Sequence, residues 1–119
     1  MSEDLDHNFQ RVVRLAEAAG LPAVSIGTCY GTPALLVKDK SFVRMKDSDT
    51  LVVMCSLEEK EMLLELDPRL YFETDHYKAW PAMLVRLSAI DDASLTGRLV
   101  AAWREKAPKR LAASFADRS

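Results

Sequence analysis

The sequence predicts an α+β domain in which an antiparallel β-sheet carries helices packed on one face. Two amphipathic helical patterns, one near each end of the chain, enclose a series of short apolar runs that are rich in β-branched residues. Very short turns separate most of these runs, and connections of that length join antiparallel neighbours. The predicted order of elements is α-β-β-β-(β)-α-β-α, as in a layer of helices on a sheet.

The first helix is predicted over residues 5–19, because apolar residues recur there at helical spacing and Gly20 and Pro22 follow. Its predicted buried stripe is Phe9, Val12, Val13 and Ala16, and Arg11, Arg14 and Glu17 are expected to face water. A meander then follows, with strands at 24–30, 34–37, 41–45 and 50–55 and turns at 31–33, 38–40 and 46–49.

A second helix is predicted to begin after Ser56, which stands at capping-box spacing from Glu59. The helix extends to about Leu66, and Pro68 lies just beyond it. Its expected buried side is formed by Met62, Leu63 and Leu66. Its expected outward face is acidic, with Glu58, Glu59, Glu61 and Glu65 set against Lys60.

The segment from Tyr71 to Pro81 combines four aromatic residues with His76, and it shows neither helical nor strand period. A long apolar strand is predicted after it, over 81–90. A last helix then runs from an Asp91–Asp92 cap to about Lys106, with Leu95, Leu99 and Trp103 as its buried stripe. Pro108 ends this helix, and the tail 109–119 is expected to add a short helical turn.

The composition is that of a soluble globular protein, with 49% apolar and 29% charged residues, and 119 residues suit one domain spanning 1–119. A net charge of −2 argues against a general nucleic-acid coat protein but leaves room for a local basic face. The sequence shows no membrane-length apolar run and no signal-peptide pattern, and it has only two cysteines, Cys29 and Cys55. We therefore expect a cytoplasmic protein with reduced thiols.

Three segments together resemble the MmcQ/YjbR family: Tyr30–Phe42, Asp75–Pro81 and Ala102–Leu111. The resemblance runs from Phe9 to Leu111. It implies a small bacterial domain with the double-wing fold, which is related in shape to frataxin-like proteins. It also implies DNA binding, a label that rests largely on structural inference, and it supplies no catalytic residues. The family pattern often has proline where Asp75 stands here, and this extra negative charge beside His76 argues against a phosphate contact by the loop.

Basic residues in the strands and near the C-terminus are the candidates for contacts with DNA. Arg44 and Arg86 stand mid-strand among apolar neighbours, so alternation places both on the sheet face opposite the helices. Between Arg98 and Arg110 there are five Lys or Arg and one Glu. Cross-strand ion pairs and stabilisation of the helix dipole are the structural alternatives. The predicted nucleic-acid contacts are Lys38, Lys40, Arg44, Arg86, Arg104, Lys106, Lys109 and Arg110.

The aromatic segment supplies the candidates for a ligand or protein-partner site: Tyr71, His76, Tyr77 and Trp80. The alternative is that these residues close the end of the core. That alternative is favoured for Phe72 and Trp80, whereas Tyr77 is expected nearest the surface. For His76 the favoured interpretation is a backbone hydrogen bond in an ordered loop.

Neither a metal or cofactor site nor a pairing of nucleophile and base is predicted, so an enzyme is not expected. The sequence therefore favours a DNA-binding module. The alternative is a protein-interaction or small-ligand domain that uses the sheet face and residues 71–81.

Overall fold

The computed structural model describes residues 3–118, with the side chains of residues 4–115, and this part of the chain forms four helices and six strands. The helices are α1 (Glu3–Ala18), α2 (Leu57–Leu66), α3 (Asp92–Lys106) and α4 (Lys109–Arg118). The strands are β1 (Val24–Cys29), β2 (Thr32–Val37), β3 (Lys40–Met45), β4 (Thr50–Met54), β5 (Tyr71–Phe72) and β6 (Ala82–Arg86). The predicted α+β class and order of elements are confirmed.

All the strands pair antiparallel in one sheet, in the order β1-β2-β3-β4-β6-β5. Strand β6 therefore lies between β4 and the short edge strand β5. Alternation along the strands gives the sheet two different faces. The face that carries Leu35, Val43, Leu51 and Val85 belongs to the main core, and we call it the helix-covered face. We call the opposite face, which carries Arg44 and Val52, the open face.

Helices α1 and α3 close the main core, and both predicted stripes are buried as expected. Trp103 is fully buried, and its indole Nε1 donates a hydrogen bond of 3.0 Å to the carbonyl of Pro22. Arg11 was expected to face water, but its guanidinium donates to the carbonyls of Leu87 and Ile90 and pairs with Asp92. The reason is that the turn before α3 presents carbonyl oxygens to α1, and an arginine can satisfy several acceptors at once.

The first two hairpin turns, β1–β2 and β2–β3, are tighter than the sequence predicted. Tyr30 and Gly31 have φ values of 52° and 80°, and Lys38 and Asp39 have 49° and 68°. Positive φ at both central residues marks the two-residue turn whose twist matches that of the flanking strands. Thr32 and Pro33 consequently belong to β2, and Lys40 belongs to β3.

Helix α2 begins where predicted, because the Ser56 hydroxyl accepts the backbone N–H of Glu59 at 3.1 Å. Its predicted buried side is wrong for Met62 and Leu66, which are 55% and 69% exposed. The helix is rotated so that Lys60 and Leu63 point inward. The carboxylate of Glu59 pairs with Arg98 of α3 instead of forming the other half of a capping box.

The aromatic segment is more regular than its sequence indicates. Its first two residues form β5, which pairs with β6, and Asp75–Tyr77 form a 3₁₀ turn. The following strand ends at Arg86, before the predicted end at residue 90, because the chain turns there with Ala89 N–H bonded to the Arg86 carbonyl at 3.2 Å. A helix with the length and apolar character to span a bilayer is absent from residues 3–118.

Candidate functional site: a pocket on the open face

A single row of residues crosses the open face from one edge of the sheet to the other. Strand register places them side by side in the order Gly27, Ala34, Arg44, Val52, Leu84 and Phe72. A bulge in β3, next to the pair formed by Leu35 and Val43, shifts the register just before Arg44. The row places one cation near the centre of an apolar surface, and this confirms the predicted side for Arg44.

The second half of the aromatic segment folds back over this row. Tyr77 is buried against Val52, Ala82 and Leu84 in a small core that is separate from the main one. Between this segment and strands β3 and β4 there is a cavity of about 570 Å³, within the size range of small-molecule sites. Its lining includes Tyr30, Arg44, His76, Tyr77, Trp80 and Lys106.

Arg44 is the half-buried cation of the pocket. Its guanidinium donates to the Tyr77 hydroxyl, and it makes longer contacts with the Thr32 hydroxyl at 3.4 Å and the Met45 carbonyl at 3.5 Å. The guanidinium carbon also lies 5.2 Å from the centroid of the Tyr30 ring, which is cation–π distance. Neutral groups therefore hold the arginine in place. Among residues 4–115, no carboxylate forms an ion pair with it.

Aromatic rings form the rim of the pocket. The rings of His76 and Trp80 are nearly parallel, at 19°, with centroids 6.3 Å apart, and His76 meets Tyr77 edge-on at 5.2 Å. Trp80 is 52% exposed and Tyr30 is 84% exposed. Large aromatic surfaces left in water beside a concavity are typical of a binding site.

Lys60, a buried lysine on α2, fixes the aromatic wall of the pocket, which is formed by residues 76–80. The Lys60 ammonium donates to the carbonyls of Tyr77 at 2.5 Å and Trp80 at 3.0 Å, and it pairs with the Glu73 carboxylate at 3.0 Å. An ammonium has three donors, so these contacts use its full capacity. Because all three acceptors belong to the aromatic segment, Lys60 fixes the position of the residues that line the pocket.

Among the described residues, the charged side chains that line the pocket are all cationic. Arg44 and Lys106 line it, and no aspartate or glutamate occurs among its lining residues in the described part of the chain. The Glu73 carboxylate is engaged by Lys60. The pocket is therefore positively charged in a protein whose total formal charge is −2.

The four predicted ligand residues do not all meet at this site. His76, Tyr77 and Trp80 line the pocket, but Tyr71 points into the main core on the helix-covered face, where burial raises the pKa of its hydroxyl. The expected exposures of Tyr77 and Trp80 are reversed. Tyr77 is only 6% exposed because its ring closes the small core and its hydroxyl meets Arg44, whereas Trp80 stands outside both cores.

The predicted nucleic-acid contacts are divided among several parts of the molecule. Arg44 lies in the pocket, and Arg86 lies on the same face with its guanidinium carbon 4.7 Å from the Phe72 ring centroid. Lys38 lies in the exposed β2–β3 turn, and Lys40 begins β3 directly after it. The remaining four stand at the α3–α4 junction: Arg104, Lys106, Lys109 and Arg110. The structural alternative for Arg44 and Arg86, pairing with carboxylates across strands, is wrong, because Val52 and Thr50 stand opposite them on β4.

The two thiols differ in their surroundings. Cys29 lies at the pocket, whereas Cys55 is in the main core, where burial and then the charge of Glu59 raise the pKa of its thiol to about 11. Among the described residues, no group of three or more histidine, cysteine, aspartate or glutamate side chains has the arrangement of a metal site.

Sequence reasoning missed two residues that shape the pocket. Tyr30 was assigned to the end of a strand, although an aromatic residue directly before a glycine turn has no core position to occupy. Lys60 was assigned to an outward acidic face. The available signal was its spacing from Leu63 and Leu64, which puts all three on one side of the helix.

Comparisons with known proteins identify a family model and several relatives that match this chain. The family model described as YjbR matches residues 19–105. Two similar relatives are Uncharacterized protein Rv2570 of Mycobacterium tuberculosis and Uncharacterized protein Mb2600 of Mycobacterium bovis, each 39% identical over 56 residues. These matches cover 47% of this chain and 43% of each relative, so the chain spans less than half the length of the curated relatives it matches. No solved structure matches significantly.

Proposed function

Because the chain belongs to the YjbR family, and family membership alone names no ligand, we propose from the pocket that this protein is a small-molecule-binding domain. The observation that carries the proposal is the cavity of about 570 Å³ with an aromatic rim on the open face. Clefts of this size, with aromatic walls and a few convergent polar groups, are the usual form of ligand sites.

Preorganisation supports the proposal. Binding is weakened when a site must be ordered at the moment a ligand enters. Here the contacts of Lys60 already hold the aromatic wall in place, and Tyr77 is packed beneath it. The exposed Trp80 and Tyr30 rings, which make no comparable core contact, remain available to cover a ligand.

A library of small metabolites tests the proposal when binding is followed by backbone NMR of the labelled protein. We expect at least one compound to shift the amide signals of Tyr30, Arg44 and the segment 76–80 in a saturable way. Replacing Trp80 with Ala should weaken that binding while leaving the spectrum of the main core unchanged, because Trp80 is half-exposed. Compounds that bind only elsewhere, or that bind the Trp80→Ala protein equally well, would refute the pocket as the site.

DNA binding is the second candidate, and a cluster of cations at the α3–α4 junction favours it. Lys106, Lys109 and Arg110 are close in sequence, and Lys106 also reaches the pocket. Contacts with phosphates release counterions, so affinity should fall steeply with salt. Replacing Lys109 and Arg110 with Gln should weaken binding and flatten its salt dependence. The matched control replaces Arg14 and Arg69, which are exposed and are not predicted contacts, with Gln, and it should leave binding unchanged. The absence of binding to duplex and single-stranded DNA at low salt would remove this candidate.

A further inference from the structure

We propose that the ligand of the open-face pocket is a flat aromatic ring that carries an oxyanion, either a carboxylate or a phosphate. This inference rests on the proposed function and adds the chemical class of the ligand. Three features of the pocket carry it: Arg44 has no ion-pair partner among residues 4–115, no acidic side chain in that range lines the cavity, and parallel rings stand at the rim.

The charge of Arg44 specifies the anion. Its partners, the Tyr77 and Thr32 hydroxyls and the Met45 carbonyl, are neutral, so no described residue compensates a cation that is already partly removed from water. A planar guanidinium binds carboxylate and phosphate oxygens through paired donors, and such charge-assisted bonds are stronger than neutral ones. Tyr77 holds the guanidinium from the core side.

A second cation and the composition of the lining also favour a negatively charged ligand. Lys106, from the last turn of α3, faces the same cavity, and none of the described lining residues is acidic. Two acidic side chains precede His76 on the aromatic segment: Glu73 is paired with Lys60, and Asp75 is exposed to solvent and is not a lining residue. A neutral or cationic ligand would leave both lining cations without a counter-charge in a partly enclosed space, which is unfavourable.

The aromatic rings at the rim of the pocket favour a flat ligand. His76 and Trp80 lie nearly parallel at one side of the pocket, and Tyr30 lies over Arg44 at the other. Aromatic faces stack well on flat rings. A flat ring lying against Trp80 would direct its anionic group towards Arg44.

Isosteric probes test this assignment, because they separate charge from shape. We would titrate the full chain with 1-naphthoate, with 1-naphthyl phosphate and with the neutral 1-naphthamide at low salt, following the amide signals of the pocket. The anions should bind about tenfold to a hundredfold more tightly than the amide, as expected for one charge-assisted contact. The better of the two anions then identifies carboxylate or phosphate as the preferred group.

Two arginine variants complete the experiment. Arg44→Gln should abolish the preference for the anions while the amide binds as before. Arg86→Gln is the matched control, because it removes an arginine from the same face outside the pocket, and it should preserve the preference. If Arg44→Gln perturbs the fold, Arg44→Lys keeps the charge but loses the planar pair of donors, and it should reduce the preference only in part.

The outcomes separate the two proposals. Equal binding of the anions and the amide at the pocket would overturn the ligand class and leave small-molecule binding intact. A preference that survives Arg44→Gln would also overturn the ligand class. If none of the probes shifts a pocket signal up to millimolar concentration, the class assignment is rejected, and the metabolite library then decides the proposed function on its own.

Discussion

The two faces of the sheet are held in place by different kinds of interaction. On the helix-covered face, α1 and α3 bury a continuous apolar core around Trp103, Leu99 and Val12. On the open face, the covering element is the aromatic segment, and it is attached by one packed ring, Tyr77, and by the ammonium of Lys60. The first face is stabilised by burial, whereas the second depends strongly on polar contacts with defined geometry.

This difference shows where a site can form in so small a protein. On the helix-covered face there is a smaller cavity of about 300 Å³, between α1 and strands β1 and β2. The open face has the larger cavity because its cover is a short segment that reaches only part of the row from Gly27 to Phe72, and because Arg44 replaces an apolar residue in that row. The variants below test whether the faces are as independent as this comparison implies.

Replacing Trp103 with Ala should have the largest effect. The side chain is fully buried, so the change should lower the free energy of unfolding by about 3–5 kcal/mol. The loss of the indole bond to Pro22 contributes to that cost. Trp80→Ala, on the open face, should change the free energy of unfolding by less than about 0.5 kcal/mol, because about half of this side chain is exposed to water. Urea unfolding measures both, and equal losses would mean that the two faces share one core.

Replacing Lys60 with Met should have the next largest effect, about 2 kcal/mol, because two carbonyls and a carboxylate lose their donor together. The segment that lines the pocket should loosen, and iodide should then quench the Trp80 fluorescence more strongly. Glu73→Gln is the matched control, since it removes one charge but leaves both carbonyl contacts. It should cost less than half as much. Unchanged quenching in Lys60→Met would show that Tyr77 alone holds the wall.

The helix-covered face was largely predictable from sequence, and the reason is physical. Apolar residues on the buried side of a helix recur at helical spacing. The burial of Phe9, Leu99 and Trp103 could therefore be predicted without knowing which residues they contact. Alternation likewise placed Arg44 on the open face. Helical periodicity gave the wrong buried side for α2. Met62, Leu63 and Leu66 form an apolar stripe at helical spacing, but the helix buries Lys60 and Leu63 and leaves Met62 and Leu66 exposed.

The candidate site was predictable only in part, because its contacts depend on the course of the backbone. Lys60 is buried to reach carbonyl oxygens at Tyr77 and Trp80, and no side-chain pattern encodes the position of a carbonyl. The meeting of Tyr30, Arg44 and Tyr77 depends on a hairpin turn and on a segment far along the chain. Residue type identified the chemistry, but only the fold brought the groups together.

The two cysteines allow the two faces of the sheet to be compared through the pH dependence of stability, because Cys55 lies in the main core and Cys29 lies at the pocket. Burial, followed by the Glu59 charge, raises the pKa of Cys55 to about 11, whereas its usual value is near 9. The unfolded chain therefore ionises first, so stability is complete below pH 9 and decreases above it, by at most about 1 kcal/mol between pH 9 and pH 10. Cys55→Ala should remove this part of the pH dependence, and Cys29→Ala, at the pocket, should retain it. Urea unfolding across that pH range measures the difference, and identical slopes in the two variants would contradict the assignment.

The smallest expected effect concerns Ala79, which precedes Trp80 with a φ of 67°, in the left-handed region that favours glycine. Ala79→Gly removes a steric cost of about 1–2 kcal/mol and adds about 0.5–1 kcal/mol of backbone entropy to the unfolded chain, so it should stabilise the protein by about 0.5 kcal/mol. Ala23→Gly, at a φ of 60° before β1, is the matched control and should gain a similar amount.

The two glycine variants should differ at the pocket. Ala79→Gly frees the backbone beside Trp80, so we expect stronger iodide quenching of that ring, whereas Ala23→Gly should leave the quenching unchanged. A gain in stability together with a looser Trp80 would mean that the strain at Ala79 serves to place the ring at the rim. If Ala79→Gly instead destabilises the protein, the left-handed conformation is not a source of strain, and the position of Trp80 then depends on the contacts of Lys60 and Tyr77.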